Sequence, residues 1–439
     1  MDVLSVLSPF RNFDENNAEQ SKLHQLCSEW FVRHIGDRVQ ESAARSESLL
    51  SRLGVADIST ICRSLQSLLT VVSDAPDTSI NTVLHLWGSG LSSLLTSPSS
   101  ANHSTITSEG EQNNALVAQA TFLFLGCLSM IYEPKLFPAE GKLEIVLPRS
   151  AQISPRFRRQ RQVPTDSLDI SSASYLAFPH LFASFGQRLP EMSNDPTPAP
   201  DSIQGRQAGV LVASNVFYSN LYRIGRINIQ WVNDIVHHLE FDERNRTLSL
   251  FAFPTYCSLT CLSEPASTLP LNRLLEHAVS FDPEDARDTI RDLHRPFDDY
   301  CREILISFGI IFAQERRSRR QVSKQAADGD WAAALGNDAI MRGLCTERWQ
   351  EHLLFNYLES PPVRSNYSAH VDFPFLGPRL LQLQAYMEAQ SPNDFMTLIF
   401  DRRDPLRFWT FVLAIGLGSA SLLLSLVQVA TSAAQLGVN

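Results

Sequence analysis

The last charged residue of the chain is Arg407, and the 32 residues that follow contain no Asp, Glu, Lys or Arg. A stretch of that kind has no polar side to offer water, which leaves it a protein interior or a lipid phase. Within it, Phe408 to Val429 (FWTFVLAIGLGSASLLLSLVQV) is 22 uncharged residues. As a helix this run is about 33 Å long, a match for a hydrocarbon core of roughly 30 Å. A soluble core helix of this length would keep some polar face, so the run is read as one transmembrane helix, 408–429. Trp409 suits the near interface, and Arg402, Arg403 and Arg407 in the preceding segment 401–407 favour a cytosolic position for the rest of the chain. Only residues 430–439 follow, which predicts insertion after synthesis, tail-anchored, in an endomembrane such as the endoplasmic reticulum. The lipid bilayer is thus the first expected partner.

Along the span, Ala414, Gly418, Ser421 and Ser425 fall on one side, and Gly416 with Ala420 forms a second pair of small residues. Small residues let two helix backbones approach closely, so this side is a candidate seam for a homodimer or a protein partner. Gly and Ser are also common in membrane helices for no such reason.

The remainder excludes several classes. With 439 residues, 44% hydrophobic and 19% charged, the chain can bury two or three cores, and it is neither a disordered tail nor a many-pass transporter. A net charge of −10 argues against a sequence-independent grip on nucleic acid. The seven cysteines are scattered without paired CxxC units and read as reduced, mostly buried thiols. The N-terminus has neither a basic n-region nor an apolar h-region, and neither Asp2 nor the terminal LGVN suits lipidation.

Periodicity predicts a mainly α fold: a helical bundle body with one or two short strands or extended arms, plus the C-terminal transmembrane helix. Leu23, Leu26, Cys27, Trp30 and Phe31 form one amphipathic stripe, Ile58 to Val72 a second and Ile80 to Leu95 a third, giving an N-terminal bundle over 1–96. Ser97 to Asn114 reads as a polar linker. Ala115 to Tyr132 carries no charge and is read as a buried helix opening the unit 115–189, with a second membrane span as the alternative. Lys142 to Arg149 alternates like a strand, Arg156 to Arg161 is a basic connector, and 190–209 is a Pro-rich linker. In the second unit, 210–400, Val232, Ile235, Val236 and Leu239 predict a helix and TLSLFAF (247–253) a strand or arm. Asp282 and Pro283 open another helix, and Phe297 to Phe312 carries the strongest stripe, running out into Arg316 to Arg320. Helices near 341–358 and 378–389 complete the body.

The sequence contains no nucleophile elbow, phosphate loop, dinucleotide fingerprint, zinc-protease helix or EF-hand loop. Asp298, Asp299 and Glu303 have the ligand types of an aspartate-rich magnesium site, but Asp298 lies on the face opposite Tyr300 and pairs more naturally with Arg302. His237 with Glu240 could present two metal ligands, short of a site, so the HHLEFD stretch reads as a solvated helix end. The arginines at 316–320 suit a helix C-terminus, with an import signal or anionic-lipid patch as alternatives. No metal, cofactor or catalytic residue is assigned. Sequons at Asn102, Asn245 and Asn366 matter only for a lumenal body.

Two stretches, Ile227 to Cys257 with its HLEFD turn and FPTYC end, and Asp401 to Gly418 with DRRDPLRFWTF, resemble a group of uncharacterised filamentous-fungal proteins. The resemblance covers roughly the second half of the chain. It implies a setting near secondary-metabolite gene clusters and no catalytic residues. The sequence-based expectation is therefore a non-enzymatic accessory or adaptor with a cytosolic helical body. The alternatives are a membrane-tethered enzyme of lipophilic or terpenoid metabolism and a lumen-facing glycoprotein.

Overall fold

A computed structural model of the chain describes residues 18–45, 79–83, 106–135, 141–147, 165–187, 189–190, 209–262, 296–327, 329–358, 360–390 and 405–436. The first half contains helices α1 (Ala18–Arg45) and α2 (Ile106–Ser129), strands β1 (Glu133–Pro134), β2 (Lys142–Val146) and β3 (Ser167–Asp169), and short helices α3 (Ile170–Ala173) and α4 (Phe178–Ser184). Strand β4 (Val210–Val212), helices α5 (Ala213–Val216) and α6 (Tyr218–Arg223), and strands β5 (Asn228–Val232), β6 (Phe241–Asp242) and β7 (Thr247–Phe251) follow. Then come α7 (Pro254–Leu262), α8 (Pro296–Phe308), α9 (Arg316–Gln325), α10 (Gly329–Asn337), α11 (Met341–Thr346), α12 (Leu353–Tyr357), β8 (Asn366–Ser368), α13 (Gly377–Ala389) and α14 (Pro405–Leu436).

The fold is mainly α, as the periodicities predict. Strands exceed the expected one or two, with three small sheets among the described residues, ordered β1-β2-β3, β4-β8 and β5-β7-β6. KLEIV is β2 and TLSLF is β7, both expected from alternation. Strand β7 pairs parallel with β5, Asn228 opposite Thr247 through Val232 opposite Phe251, and antiparallel with β6.

Helix α8 occupies the centre. Its stripe Phe297, Tyr300, Cys301, Ile304, Leu305 and Phe308 is fully buried, and Glu303, Ile306 and Ser307 on its other side are buried too. It packs on α7, which packs in turn on α1. Cys27, Phe31 and Ile35 are the buried positions of α1, whereas Leu26 of the expected stripe is exposed. Trp30 Nε1 donates to the Asn337 carbonyl at 2.6 Å, tying α1 to the end of α10. Tyr218, Trp231, Phe308, Phe312 and Trp331 form an aromatic cluster, with Trp231 and Trp331 edge to face at 5.1 Å. The helices expected at 58–72 and after Asp282, most of that at 80–95, and the basic connector lie outside the described residues.

Four local expectations are corrected. The 97–114 linker gives way to helix from Ile106, nine residues before the apolar run. That apolar run, Ala115–Ser129, is short and is buried from Ala118 onward, the buried helix expected and not the alternative span. Val232 ends strand β5 and Ile235, Val236 and Leu239 lie in a buried turn, because Leu239 sits at φ 60°, which no α-helix accommodates. The helix expected near 341–358 is broken into α11, a 3₁₀ turn at Trp349–Glu351 and α12, whose first turn is capped by His352 Nδ1 accepting from Leu354 N at 3.3 Å.

The fourth correction lies at the end of α8. The stripe does not continue as α-helix to Phe312; Gly309–Ala313 widens to a π-turn, and the next α-helix begins at Arg316 after the extended residue Glu315. Gly309 explains the position of Trp349, because a Cβ there would lie 2.5 Å from the indole ring. Trp349 in turn stacks on Phe355 at 4.7 Å. Gly309→Ala is therefore expected to lower stability by about 1–3 kcal/mol, the usual cost of overpacking a core. Thermal unfolding followed by circular dichroism measures it; an unchanged midpoint would show that the indole yields freely.

Candidate functional site

Two features stand apart from ordinary packing, an exposed apolar helix and a buried polar network. Within α14, Leu413–Ala433 is long and apolar enough to cross a membrane and has no buried residues. Leu413, Ile415, Leu417, Leu422, Leu423, Leu424, Leu426, Val427 and Val429 are all exposed. This stretch begins and ends a few residues later than the expected 408–429. Trp409 is exposed; Arg407 falls in the first turn of the helix, while Arg402 and Arg403 lie outside the described residues. Ala414, Gly418, Ser421 and Ser425 all lie exposed along one side, and a Cβ added at Gly416 or Gly418 would meet nothing within 4 Å. Three hydroxyls are satisfied inside the helix: Ser419 donates to the Ile415 carbonyl at 2.5 Å, Ser425 to that of Ser421 at 2.9 Å and Thr431 to that of Val427 at 3.0 Å.

The buried network is centred on the turn 234–240 and on α8. Far from forming a solvated helix end, His237, His238 and Glu240 are buried. Asp234 Oδ1 accepts the His237 backbone N–H at 3.0 Å and also contacts His237 Nδ1 closely, and Glu240 Oε2 lies 3.7 Å from Nε2. Burial opposes charge on this imidazole, but Asp234 and Glu240 outweigh it and raise its pKa, with Arg379 opposing them. A carboxylate thus faces each ring nitrogen, and neither is open to a substrate.

His238 has the opposite character. The Phe251 N–H donates to its Nδ1 at 3.2 Å, so Nε2 carries the proton and faces Ser307 Oγ at 2.8 Å. Ser307 donates its own proton to the Ile304 carbonyl at 2.7 Å. Burial, with Arg379 adding to it, holds His238 well below the ordinary imidazole pKa, hence neutral. A histidine that activates a serine must accept its proton at Nε2. Here the proton lies the other way, so the pair is structural.

Glu303, expected only as part of an acidic helix face, is a buried cap. Its carboxylate accepts Phe375 N at 3.0 and 3.1 Å and Leu376 N at 2.7 Å, at the threshold of α13. Asp298 and Asp299 remain half-buried on α8. From α13, Arg379 Nη1 returns to the turn, donating to the Val236 carbonyl at 2.8 Å and to that of His238. Tyr300 Oη donates to the Ile235 carbonyl at 2.8 Å. A second buried carboxylate, Asp338, accepts Thr255 N and Oγ1 at 3.0 and 2.7 Å and Ile340 and Met341 N at 3.0 and 2.9 Å, joining the starts of α7 and α11. Among the described residues, no three His, Cys, Asp or Glu side chains are placed to hold a metal ion, and the six described cysteines are free thiols.

The sequence reading missed Asp234, Ser307, Asp338 and Arg379 altogether. The one available signal was Glu303 and Ser307 beside the apolar stripe of α8. The arginines 316–320 are also placed differently from expectation, at the N-terminus of α9. Cations there oppose the helix dipole at about 0.3–1 kcal/mol each. Of the sequons, Asn245 is exposed with Nδ2 donating to Asp242 Oδ2 at 2.7 Å, Asn366 is exposed in β8, and Asn102 lies outside the described residues. No protein-family model, curated protein or solved structure matches the chain.

Burial raises the Glu303 pKa from 4.5 to about 8 against the pull of its amide donors, and burial likewise raises Asp338 from 3.8 to about 6. A raised carboxyl pKa gives stability that is complete below the unfolded value and lost as pH climbs through the folded value. Asp338 completes that loss near pH 6, leaving Glu303, with His237 in the same sense, to lower stability between about pH 6.5 and 8. Glu303→Gln, which keeps an acceptor but cannot titrate, should flatten that slope. Glu303→Ala should cost about 2–3 kcal/mol at pH 6 by stranding two buried amides. Unfolding curves at three pH values test both, and a slope identical in wild type and Gln variant would contradict the assignment.

Proposed function

We propose that the chain is a single-pass membrane protein whose helical body lies on the cytosolic face of an endomembrane, the endoplasmic reticulum first, and acts there as a non-enzymatic accessory or adaptor. One observation carries the reading: Leu413–Ala433 is uncharged, long and apolar enough to cross a membrane, and wholly exposed. Covering the nine large side chains from Leu413 to Val429 is worth roughly 14–27 kcal/mol at about 1.5–3 kcal/mol for full burial of each. That is as large as the whole stability of a typical domain, so a helix of this kind needs a cover, and a bilayer supplies one. Arg402, Arg403 and Arg407 immediately before it support the cytosolic orientation. The adaptor role is supported by the enclosure of His237, His238, Ser307, Glu303 and Asp338, whose polar atoms hold protein groups. The resemblance of 227–257 and 401–418 to fungal proteins extends the proposal to secondary metabolism, and the small-residue side of α14 to pairing within the membrane.

Expressed in cells, the full chain should stay with membranes through alkaline carbonate, and a chain ending at 404 should be released. An N-glycosylation acceptor added after Asn439 should be modified while Asn245 and Asn366 are not. Carbonate release of the full chain would overturn the anchor, and glycans on Asn245 or Asn366 would overturn the orientation.

A further inference from the structure

Helix α9 concentrates positive charge on a chain whose acidic residues outnumber its basic ones by 47 to 37. Its sequence RRSRRQVSK holds Arg316, Arg317, Arg319, Arg320 and Lys324 and no acid. Ser318 and Val322 face the core, and Arg316, Arg320 and Lys324, at i, i+4 and i+8, are exposed on the opposite side. No carboxylate among the described residues pairs with these three. The acid next to them in sequence, Glu315, is occupied by the hydroxyls of Ser219 and of Ser318, the latter at 2.9 Å. Arg319 is turned inward, donating to the Ala313 carbonyl, and Arg348 is paired with Glu351 at 3.2 Å. Helix α11, packed beside α9, adds the exposed Arg342. The dipole of α9 adds its positive end at the same place.

We propose that the face of α9 formed by Arg316, Arg320 and Lys324, extended by Arg342, docks the body on the anionic headgroups of the bilayer that holds α14. The inference rests on the membrane-anchor reading. It draws on two observations, charge complementarity and tether length. Residues 391–404 join α13 to α14, and a chain of that length reaches at most about 50 Å, so the body cannot leave the vicinity of the membrane surface. A body of net negative charge is repelled by an anionic leaflet unless it presents a basic face, and α9 offers one. Each cation near such a surface is worth about fivefold in partitioning, so three of them select an orientation by about two orders of magnitude.

The full chain, reconstituted into nanodiscs of phosphatidylcholine alone or with about 30 mol% phosphatidylserine, allows the two readings to be separated. Incorporation into neutral discs reports the anchor, and failure to incorporate overturns the anchor reading itself. Hydrogen exchange over 316–324 reports the patch. On anionic discs, exchange should slow severalfold relative to neutral discs, recover at about 0.5 M NaCl, where screening length falls to ~4 Å, and not slow in an R316E/R320E/K324E variant. Exchange over Pro296–Phe308 checks that the variant is folded, and R320E alone, expected to show a partial loss, serves if it is not. Equal exchange on the two disc compositions overturns the proposal. So does stronger protection by a short RNA duplex on neutral discs, which would assign the patch to nucleic acid.

Discussion

A helix enclosed over most of its surface carries polar residues into the interior, and these must find partners there. Helix α8 is in that position, and Tyr300, Glu303 and Ser307 are the polar residues it buries fully. Tyr300 engages the Ile235 carbonyl, Ser307 engages His238, and Glu303 takes the amides of Phe375 and Leu376. These contacts fix the 234–240 turn on one side of α8 and the start of α13 on another. Arg379 then joins those two directly, through the Val236 and His238 carbonyls. The result is a closed circuit of polar contacts around an apolar helix, which sets where β5, β7 and α13 lie. The strained residue Leu239 belongs to the same circuit: its N–H donates to the Ser249 carbonyl at 2.8 Å, so the left-handed turn is held by the sheet it helps to form.

Two apolar runs show how length and cover separate similar sequences. The run in α2 is Ala115–Ser129, too short to cross a bilayer, and its Phe122 meets Tyr132, just past the helix, at 4.5 Å within a nest that includes Phe182 and Phe185. Leu413–Ala433 in α14 is longer and carries no aromatic residue to anchor it against a core. Its Gly, Ala and Ser positions give a smooth surface in place of the interlocking one that α2 presents.

Periodic elements were legible in the sequence where one side of an element decided its fate. Strands β2 and β7, the Pro-initiated α13 and the apolar C-terminal helix follow from alternation, a proline at the first turn and an absence of charge. The misreadings share a cause, which is that long-range contacts override local period. Val232, Ile235, Val236 and Leu239 have helical spacing because all four are buried, but they are buried by a strand end and a turn closed by Asp234. The stripe of α8 runs through Gly309 in sequence, yet the indole of Trp349 reaches that glycine from 40 residues away and the helix widens there. The candidate network was the least legible part, since Asp234, Ser307, Asp338 and Arg379 carry no motif and acquire meaning only through partners distant in sequence.

The distribution of polar groups also bears on what the molecule does. His237, His238, Glu303, Asp338 and Ser307 are enclosed, and they are bonded to backbone groups or to neighbouring side chains. A nucleophile or general base needs a free valence toward a reacting atom. Two exposed features are of another kind: Arg316, Arg320 and Lys324 on α9, with no carboxylate paired to them among the described residues, and the apolar stretch of α14, none of it buried among the described residues. Both are costly in water, the first by self-repulsion within a few ångströms and the second by exposed surface. On the proposed reading, an anionic, lipid-containing phase would relieve both at once, its headgroups neutralising the one and its acyl chains covering the other.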